Sequence, residues 1–255
     1  MMRHLLAVLL TLSCPLAHAQ AQDRPGAVVK GEVESGGRKR TYHLFVPAGA
    51  AAPAGRAPAR ALPLVVVFHG SGQGGAALVE PWTALAAREG FIVAGPDSAD
   101  PSKWSTPADG PEFVRDLVEH LKARHPVSAR RVYLFGYSAG SGFVINISLL
   151  ESRYFAAAAV FASATFSRQY ASAAERRIPF LIRAGADDEV FALRDVKATA
   201  KGLSGLGFPV EFGELAGRGH NYYRVAAELN EEVWRFFSRH ELKEEPDYRH
   251  YEFKR

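Results

Sequence analysis

Cysteine is nearly absent from this chain of 255 residues, which contains a single one, Cys14, so disulfide bonds cannot support the fold. No apolar run is long enough to cross a bilayer, and we therefore expect no stable membrane insertion. The basic residues behind the net charge of +4 are scattered, so nucleic acid is not an expected partner. No spacing of histidine, cysteine or carboxylate residues is typical of a metal site. With 47% hydrophobic and 23% charged residues, the composition is that of an ordinary globular protein.

The first 19 residues have the pattern of a secretory signal peptide. A basic start at Arg3 precedes the apolar run 5–12, and an Ala-x-Ala cleavage site ends at Ala19. We expect cleavage after this residue, which leaves residues 20–255 as a secreted or periplasmic protein. The alternative is a lipoprotein, because the residues before Cys14 loosely resemble a lipidation signal.

Segments typical of strands and of helices alternate along the chain after a low-complexity loop at residues 48–60. The predicted strands are 64–68, 91–94, 131–135, 155–161, 179–183 and 210–212, and the predicted helices are 76–88, 112–124, 142–150, 193–206 and 222–239. Asp109 is a candidate cap for the second helix. The alternation predicts a single α/β domain, residues 20–255, with a mostly parallel sheet covered by helices on both faces. In such sheets the active site lies beyond the carboxyl ends of the strands.

A nucleophile motif follows the predicted strand at 131–135. Residues Gly136 to Gly140 read Gly-Tyr-Ser-Ala-Gly, which is the G-x-S-x-G pattern between a strand and a helix. The turn is sharp, so nearly side-chain-free residues must flank Ser138, whose hydroxyl is held above the sheet. The N-terminus of the following helix favours an anion there. The pattern predicts a catalytic serine rather than an ordinary Gly/Ser turn.

A serine nucleophile needs a base, and the base needs an acid that orients it. In α/β-hydrolase-type triads the serine comes first along the chain, an aspartate or glutamate second and the histidine last. The acid is therefore expected after the predicted strand at 179–183, where Asp187 and Asp188 are adjacent. We favour Asp188, which is three residues after Gly185, and keep Asp187 as the alternative. The base follows the last predicted strand, in the glycine-rich loop that contains His220. These residues complete the predicted catalytic triad.

Two backbone amides are predicted to form an oxyanion hole. One belongs to Ala139, directly after the nucleophile, and the other to the glycine-rich loop 69–75 that follows the strand at 64–68. We choose the Ser71 amide in that loop and expect His69 to orient it. The alternative, a phosphate-binding loop, lacks the G-x-x-x-x-G-K-[ST] pattern.

With these motifs, the sequence resembles the α/β-hydrolase superfamily across nearly all of its predicted mature length. More narrowly, it is similar to the secreted esterases grouped with poly(3-hydroxybutyrate) depolymerases and feruloyl esterases. The segments that carry this resemblance are 67–70, 82–87, 90–93, 96–97, 113–115 and 136–140. The resemblance implies hydrolysis of a small-molecule or oligomeric carboxylic ester without a cofactor.

Two other functions use the same residues or the same scaffold. A serine peptidase or amidase has the same triad, although the absence of an obvious propeller or large cap favours small esters. A non-catalytic binding protein on a hydrolase scaffold is the third hypothesis, and the intact set of serine, aspartate and histidine argues against it.

Overall fold

The computed structural model describes residues 26–48 and 60–249 of the chain. The predicted signal peptide at 1–19, with its Cys14, and most of the low-complexity loop lie outside the described residues. The strands are β1 (Val28–Ser35), β2 (Arg38–Phe45), β3 (Leu62–Phe68), β4 (Ile92–Pro96), β5 (Val127–Tyr137), β6 (Ala157–Phe161), β7 (Phe180–Gly185) and β8 (Val210–Leu215). They form one sheet in the order β1-β2-β4-β3-β5-β6-β7-β8. Because only β2 runs in the direction opposite to the other strands of this sheet, the predicted mostly parallel sheet is confirmed.

Alternate side chains of the central strands enter two separate core layers. In β3, Leu64 and Val66 face one layer, whereas Val65 and Val67 face the other. All four side chains are fully buried, which is why this strand is a continuous apolar run. Each such burial contributes about 1.5–3 kcal/mol to the stability of the fold.

Helices cover both faces of the sheet, as the sequence predicts for an α/β fold. They are α1 (Gly75–Val79), α2 (Thr83–Glu89), α3 (Thr106–Asp109), α4 (Pro111–Lys122), α5 (Ala139–Leu150), α6 (Arg168–Ala173), α7 (Leu193–Gly205) and α8 (Ala226–Phe237). The apolar residues of α1, α2 and α8 pack in one core layer, and those of α4, α5, α6 and α7 pack in the other. Among the described residues, no helix has both the length and the apolar character needed to cross a membrane.

Two of the predicted helices are divided in the structure. The predicted helix at 76–88 consists of α1, a 3-10 turn over Glu80–Trp82, and α2. Pro81 lies in this turn, and because proline has no backbone N–H it cannot continue the α-helical hydrogen bonds. The predicted helix at 222–239 likewise begins as a 3-10 turn over Tyr222–Arg224 before α8.

The predicted role of Asp109 as the cap of α4 is wrong. Gly110 occupies the N-cap position and makes no side-chain hydrogen bond. The Asp109 carboxylate is buried, accepts the N–H groups of Ala99 and Ser105, and lies 2.5 Å from the Arg40 guanidinium. A buried carboxylate needs a cationic partner and several hydrogen bonds, which this position supplies. Asp109 therefore organises the segment after β4 rather than the start of α4.

Candidate active site

Ser138 lies in a strained turn between β5 and α5. Its φ of 54° and ψ of −117° form a positive-φ conformation, which costs a non-glycine residue about 1–3 kcal/mol. Hydrogen bonds hold this conformation: the Ser138 N–H donates to the Phe161 carbonyl over 3.0 Å. The Ser141 hydroxyl, which has one proton to donate, lies 2.7 and 2.8 Å from the carbonyl oxygens of Gly136 and Phe161. The turn therefore fixes the Ser138 side chain at the carboxyl edge of the sheet.

Two glycines let this turn pack against the sheet. A Cβ on Gly136 would lie 2.6 Å from the Gly140 carbonyl oxygen, which is closer than any real Cβ contact. A Cβ on Gly140 would collide with the Phe68 carbonyl at the end of β3. The G-x-S-x-G pattern is therefore required by the contact of backbone with backbone.

The three residues predicted as a triad lie together at the carboxyl ends of β5, β7 and β8. The His220 Nε2 atom is 2.9 Å from the Ser138 Oγ atom, and the His220 Nδ1 atom is 3.0 Å from the Asp188 Oδ2 atom. The ring nitrogen that faces a carboxylate carries the proton, so Nδ1–H donates to Asp188. Nε2 is then free to accept the proton of the Ser138 hydroxyl.

The two adjacent aspartates differ in their contacts. The Asp188 side chain is fully buried, and its Oδ1 atom accepts the N–H groups of Val190 and Phe191 over 2.8 and 2.9 Å. Asp187 is exposed. The structure therefore places Asp188, the favoured residue, against His220, and leaves Asp187 at the surface.

The two amides predicted for the oxyanion hole belong to segments that adjoin Ser138. Ala139 is the first residue of α5 and directly follows Ser138. Ser71 is exposed and follows Gly70, where an added Cβ would lie 3.4 Å from the Ser138 Cβ. The loop 69–75 therefore passes close to Ser138, and both amides stay candidates for binding an oxyanion.

His69 ties this loop to the segment that follows β4. Its Nδ1 atom is 2.8 Å from the Gly70 carbonyl oxygen, and its Nε2 atom accepts the Ser98 N–H over 3.2 Å. These contacts require a neutral ring with the proton on Nδ1. Burial lowers the pKa of His69, which favours the neutral ring.

Trp104 is a contact of this loop that the sequence patterns do not reveal. Its indole N–H donates to the His69 carbonyl over 2.9 Å. Its ring stacks on Phe143 of α5 at 5.0 Å and meets Phe68 edge to face at 5.1 Å. In the sequence, Trp104 is a single tryptophan within a polar segment, and this pattern does not indicate which residues its ring contacts.

The surroundings of His220 combine aromatic rings with an open cavity. The rings of Tyr137 and Phe191 lie 5.5 and 5.6 Å from the imidazole. A cavity of about 370 Å³ lies beside His220, and its lining includes Val190 and Arg224. In the part of the chain that the structure describes, no group of three or more histidine, cysteine, aspartate or glutamate residues could hold a metal ion.

Comparison of the sequence with known families finds a match to the model of the dienelactone hydrolase family over residues 54–240. Among curated proteins, the chain is 29% identical over 204 residues to poly(3-hydroxyalkanoate) depolymerase C of Paucimonas lemoignei. It is 26% identical over 176 residues to the bifunctional acetylxylan esterase/xylanase XynS20E of Neocallimastix patriciarum. The match covers 74% of this chain and 48% of the depolymerase, and 65% of this chain and 24% of the bifunctional enzyme. The chain thus spans at most about half the length of these relatives.

Solved structures support the same fold. The fluorophosphonate-binding serine hydrolase FphF of Staphylococcus aureus superimposes with a TM-score of 0.70 and 15% identity. The superposition covers 84% of this chain and 99% of that protein. The similarity of the chain to the depolymerase group, expected from its motifs, and the α/β-hydrolase fold are both confirmed.

Proposed function

We propose that this chain, which belongs to the dienelactone hydrolase family, is a secreted serine hydrolase of carboxylic esters. The observation that supports this most is the hydrogen-bonded series from Ser138 through His220 to Asp188. Such a series activates a hydroxyl for attack on a carbonyl carbon.

In the first step, His220 accepts the Ser138 proton on Nε2 while the serine oxygen attacks the ester carbonyl. The bond between carbon and serine oxygen forms, and the carbonyl electrons move to the oxygen. Asp188 stabilises the resulting imidazolium and keeps the ring in the productive tautomer. The amides of Ala139 and Ser71 donate to the oxyanion, which is favoured further by the N-terminus of α5.

In the second step, the tetrahedral intermediate collapses and the alcohol departs with the proton from the Nε2 atom of His220. An acyl group remains on Ser138. His220 then takes a proton from water as the water attacks the acyl carbon. Collapse of this second intermediate releases the carboxylic acid and returns the proton to the serine.

The substrate class in this proposal is a small or oligomeric carboxylic ester. One relative is named for poly(3-hydroxyalkanoate) and the other for acetylxylan, and both compounds contain carboxylic ester bonds. Export is part of the proposal and rests on the signal-peptide pattern that ends at Ala19.

The test is hydrolysis of 4-nitrophenyl esters of graded chain length by the wild type and by Ser138→Ala. We expect the substitution to lower kcat by at least about 10⁴-fold, with unchanged circular dichroism. Full residual turnover in the variant would overturn the role of Ser138.

Labelling with a fluorophosphonate and hydrolysis of peptide 4-nitroanilides separate the remaining outcomes. A wild type that is labelled at Ser138 and cleaves nitroanilides faster than esters is a peptidase or amidase. A wild type that is neither labelled nor active is a binding protein on a hydrolase scaffold. Either result rejects the esterase proposal.

A further inference from the structure

We propose that Tyr223 is a positioning residue that holds the oxyanion loop, residues 69–75, in place relative to His220. The Tyr223 hydroxyl donates to the Gln73 Oε1 atom over 2.9 Å and so joins two segments that are 150 residues apart. Tyr223 follows His220 by three residues, whereas Gln73 belongs to the loop that contains the Ser71 amide. The inference rests on the proposed function, because it concerns the same site.

Other hydrogen bonds of the oxyanion loop attach it to the segment after β4. They run from the Ser98 N–H to His69 Nε2, from the Gly72 N–H to the Pro101 carbonyl over 2.8 Å, and from the Gly75 N–H to Asp97 Oδ1 over 2.7 Å. These bonds attach the oxyanion loop to the segment after β4. They do not fix the distance between the oxyanion loop and the loop after β8. The Tyr223 hydroxyl supplies a bond from that opposite side, where His220 lies.

The ring of Tyr137 contacts both of the segments that this hydrogen bond joins. The rings of Tyr223 and Tyr137 meet edge to face at 6.1 Å. An added Cβ on Gly70 would lie 3.0 Å from the Tyr137 ring, so the loop already rests on it at that point. Contacts therefore run from Gly70 to Tyr137, to Tyr223 and back to Gln73. The Ser71 amide lies in the loop between the two attachment points.

This arrangement affects the reaction more than the fold. The hydrogen bond is exposed, and Tyr223 itself is 39% exposed, so loss of the hydroxyl changes the stability of the fold little. Oxyanion donors, however, act only within about 2.7–3.1 Å of the oxygen that becomes charged. A small displacement of the loop therefore lowers the rate of attack by Ser138. From the usual strength of one hydrogen bond, we expect a decrease of about two- to tenfold.

The experiment measures the rate constant for fluorophosphonate labelling of Ser138, together with kcat and KM for 4-nitrophenyl acetate. The variants are Tyr223→Phe, Gln73→Ala and the double variant. We expect each single variant to lower the labelling rate and kcat by about two- to tenfold with nearly unchanged KM. The double variant should be no slower than the slower single variant, because both substitutions remove the same bond.

The matched control is Tyr154→Phe, which removes a 2.6 Å hydrogen bond from a tyrosine hydroxyl to Glu119, away from this site. We expect it to leave the labelling rate unchanged. Wild-type labelling and kcat in Tyr223→Phe would overturn the inference, as would losses that multiply in the double variant. A wild type that is not labelled at all rejects the proposed function instead, so the two failures are distinguishable.

Discussion

Asp187 and Asp188 are adjacent in the chain, yet their environments are opposite. Asp188 is buried and receives hydrogen bonds from two backbone amides and from His220. These bonds hold the carboxylate in one orientation, so the imidazole is held as well. Asp187 has an exposed side chain and makes no such contact with the histidine in the described structure.

We expect Asp188→Asn to lower kcat for ester hydrolysis by about 10⁴-fold. The asparagine can donate a hydrogen bond to Nδ1, which favours the tautomer with the proton on Nε2, and that nitrogen then cannot accept the Ser138 proton. Initial rates with 4-nitrophenyl acetate measure the effect. Asp187→Asn is the matched control, with an expected kcat within about twofold of wild type. Equal losses in the two variants would contradict the assignment.

The residues of the site differ in how far the sequence alone predicts them. Ser138 has a local motif, because the strained turn needs glycines at fixed positions. His220 has no local pattern and is found only from the order of the triad residues along the chain. The bond between Tyr223 and Gln73 joins residues 150 positions apart, and nothing local to either residue indicates it.

At the scale of elements, the carboxyl end of α5 carries a buried acid. The side chain of Glu151 is 1% exposed, and its Oε1 atom has no hydrogen-bond partner in the described structure. Its Oε2 atom accepts the Arg249 N–H over 2.9 Å. Burial raises the pKa of Glu151 to about 8; Arg249 and Arg115 oppose this shift, and Asp247 adds to it. The end of α5 therefore carries a neutral carboxylic acid near pH 7.

We expect this acid to make the stability of the wild type fall as the pH rises from about 4.5 to about 8. Over that range the unfolded chain has released the proton that folded Glu151 keeps, so a higher pH favours unfolding. The glutamine of Glu151→Gln does not titrate, so the stability of this variant lacks that pH dependence. The Tm of this variant relative to wild type should therefore increase with pH up to about 8 and level off above it.

Thermal unfolding followed by circular dichroism from pH 5 to pH 9 measures this difference. Glu228→Gln is a suitable control, because Glu228 is exposed on α8 and is not among the groups that shift the pKa of Glu151. A Tm difference between Glu151→Gln and wild type that does not vary with pH would show that Glu151 titrates normally.

Elements with a strong apolar pattern are predictable from the sequence, and polar edge elements are not. β3 is an unbroken apolar run because both of its faces are buried. β1 and β2 have no counterpart among the predicted strands, since they lie at the edge of the sheet and carry many charged residues. The sequence feature that indicates these two strands is the Gly36-Gly37 pair between them, which is typical of a hairpin turn.

At the scale of the whole molecule, a buried ion pair connects the β1–β2 edge to the loop beside the candidate active site. The Arg40 guanidinium on β2 lies 2.5 Å from Asp109 and 3.8 Å above the Phe113 ring. The side chains of the pair are 10% and 1% exposed. Asp109 in turn binds the Ala99 and Ser105 amides, and between these two residues lies the tryptophan that contacts the oxyanion loop.

We expect Arg40→Met to lower the free energy of unfolding by about 3–5 kcal/mol, because it leaves the Asp109 charge buried without its partner. Urea unfolding measures this loss. Lys39→Met is the matched control on the same strand, since the Lys39 pair with Glu32 is exposed and contributes at most about 1 kcal/mol. A loss below 1 kcal/mol for Arg40→Met would show that the pair does not anchor the loop.

The distribution of the proposed catalytic groups along the chain has a consequence for folding. Ser138 and His220 are separated by 82 residues and are brought together by strands β5 and β8, the latter at the edge of the sheet. Consider a partly folded chain in which the central strands have assembled but β8 has not. Its Ser138 turn is formed, but His220 is not yet beside it. The proposed hydrolytic activity therefore requires a completely assembled sheet, and a compact intermediate that lacks this edge would be inactive in every assay of turnover.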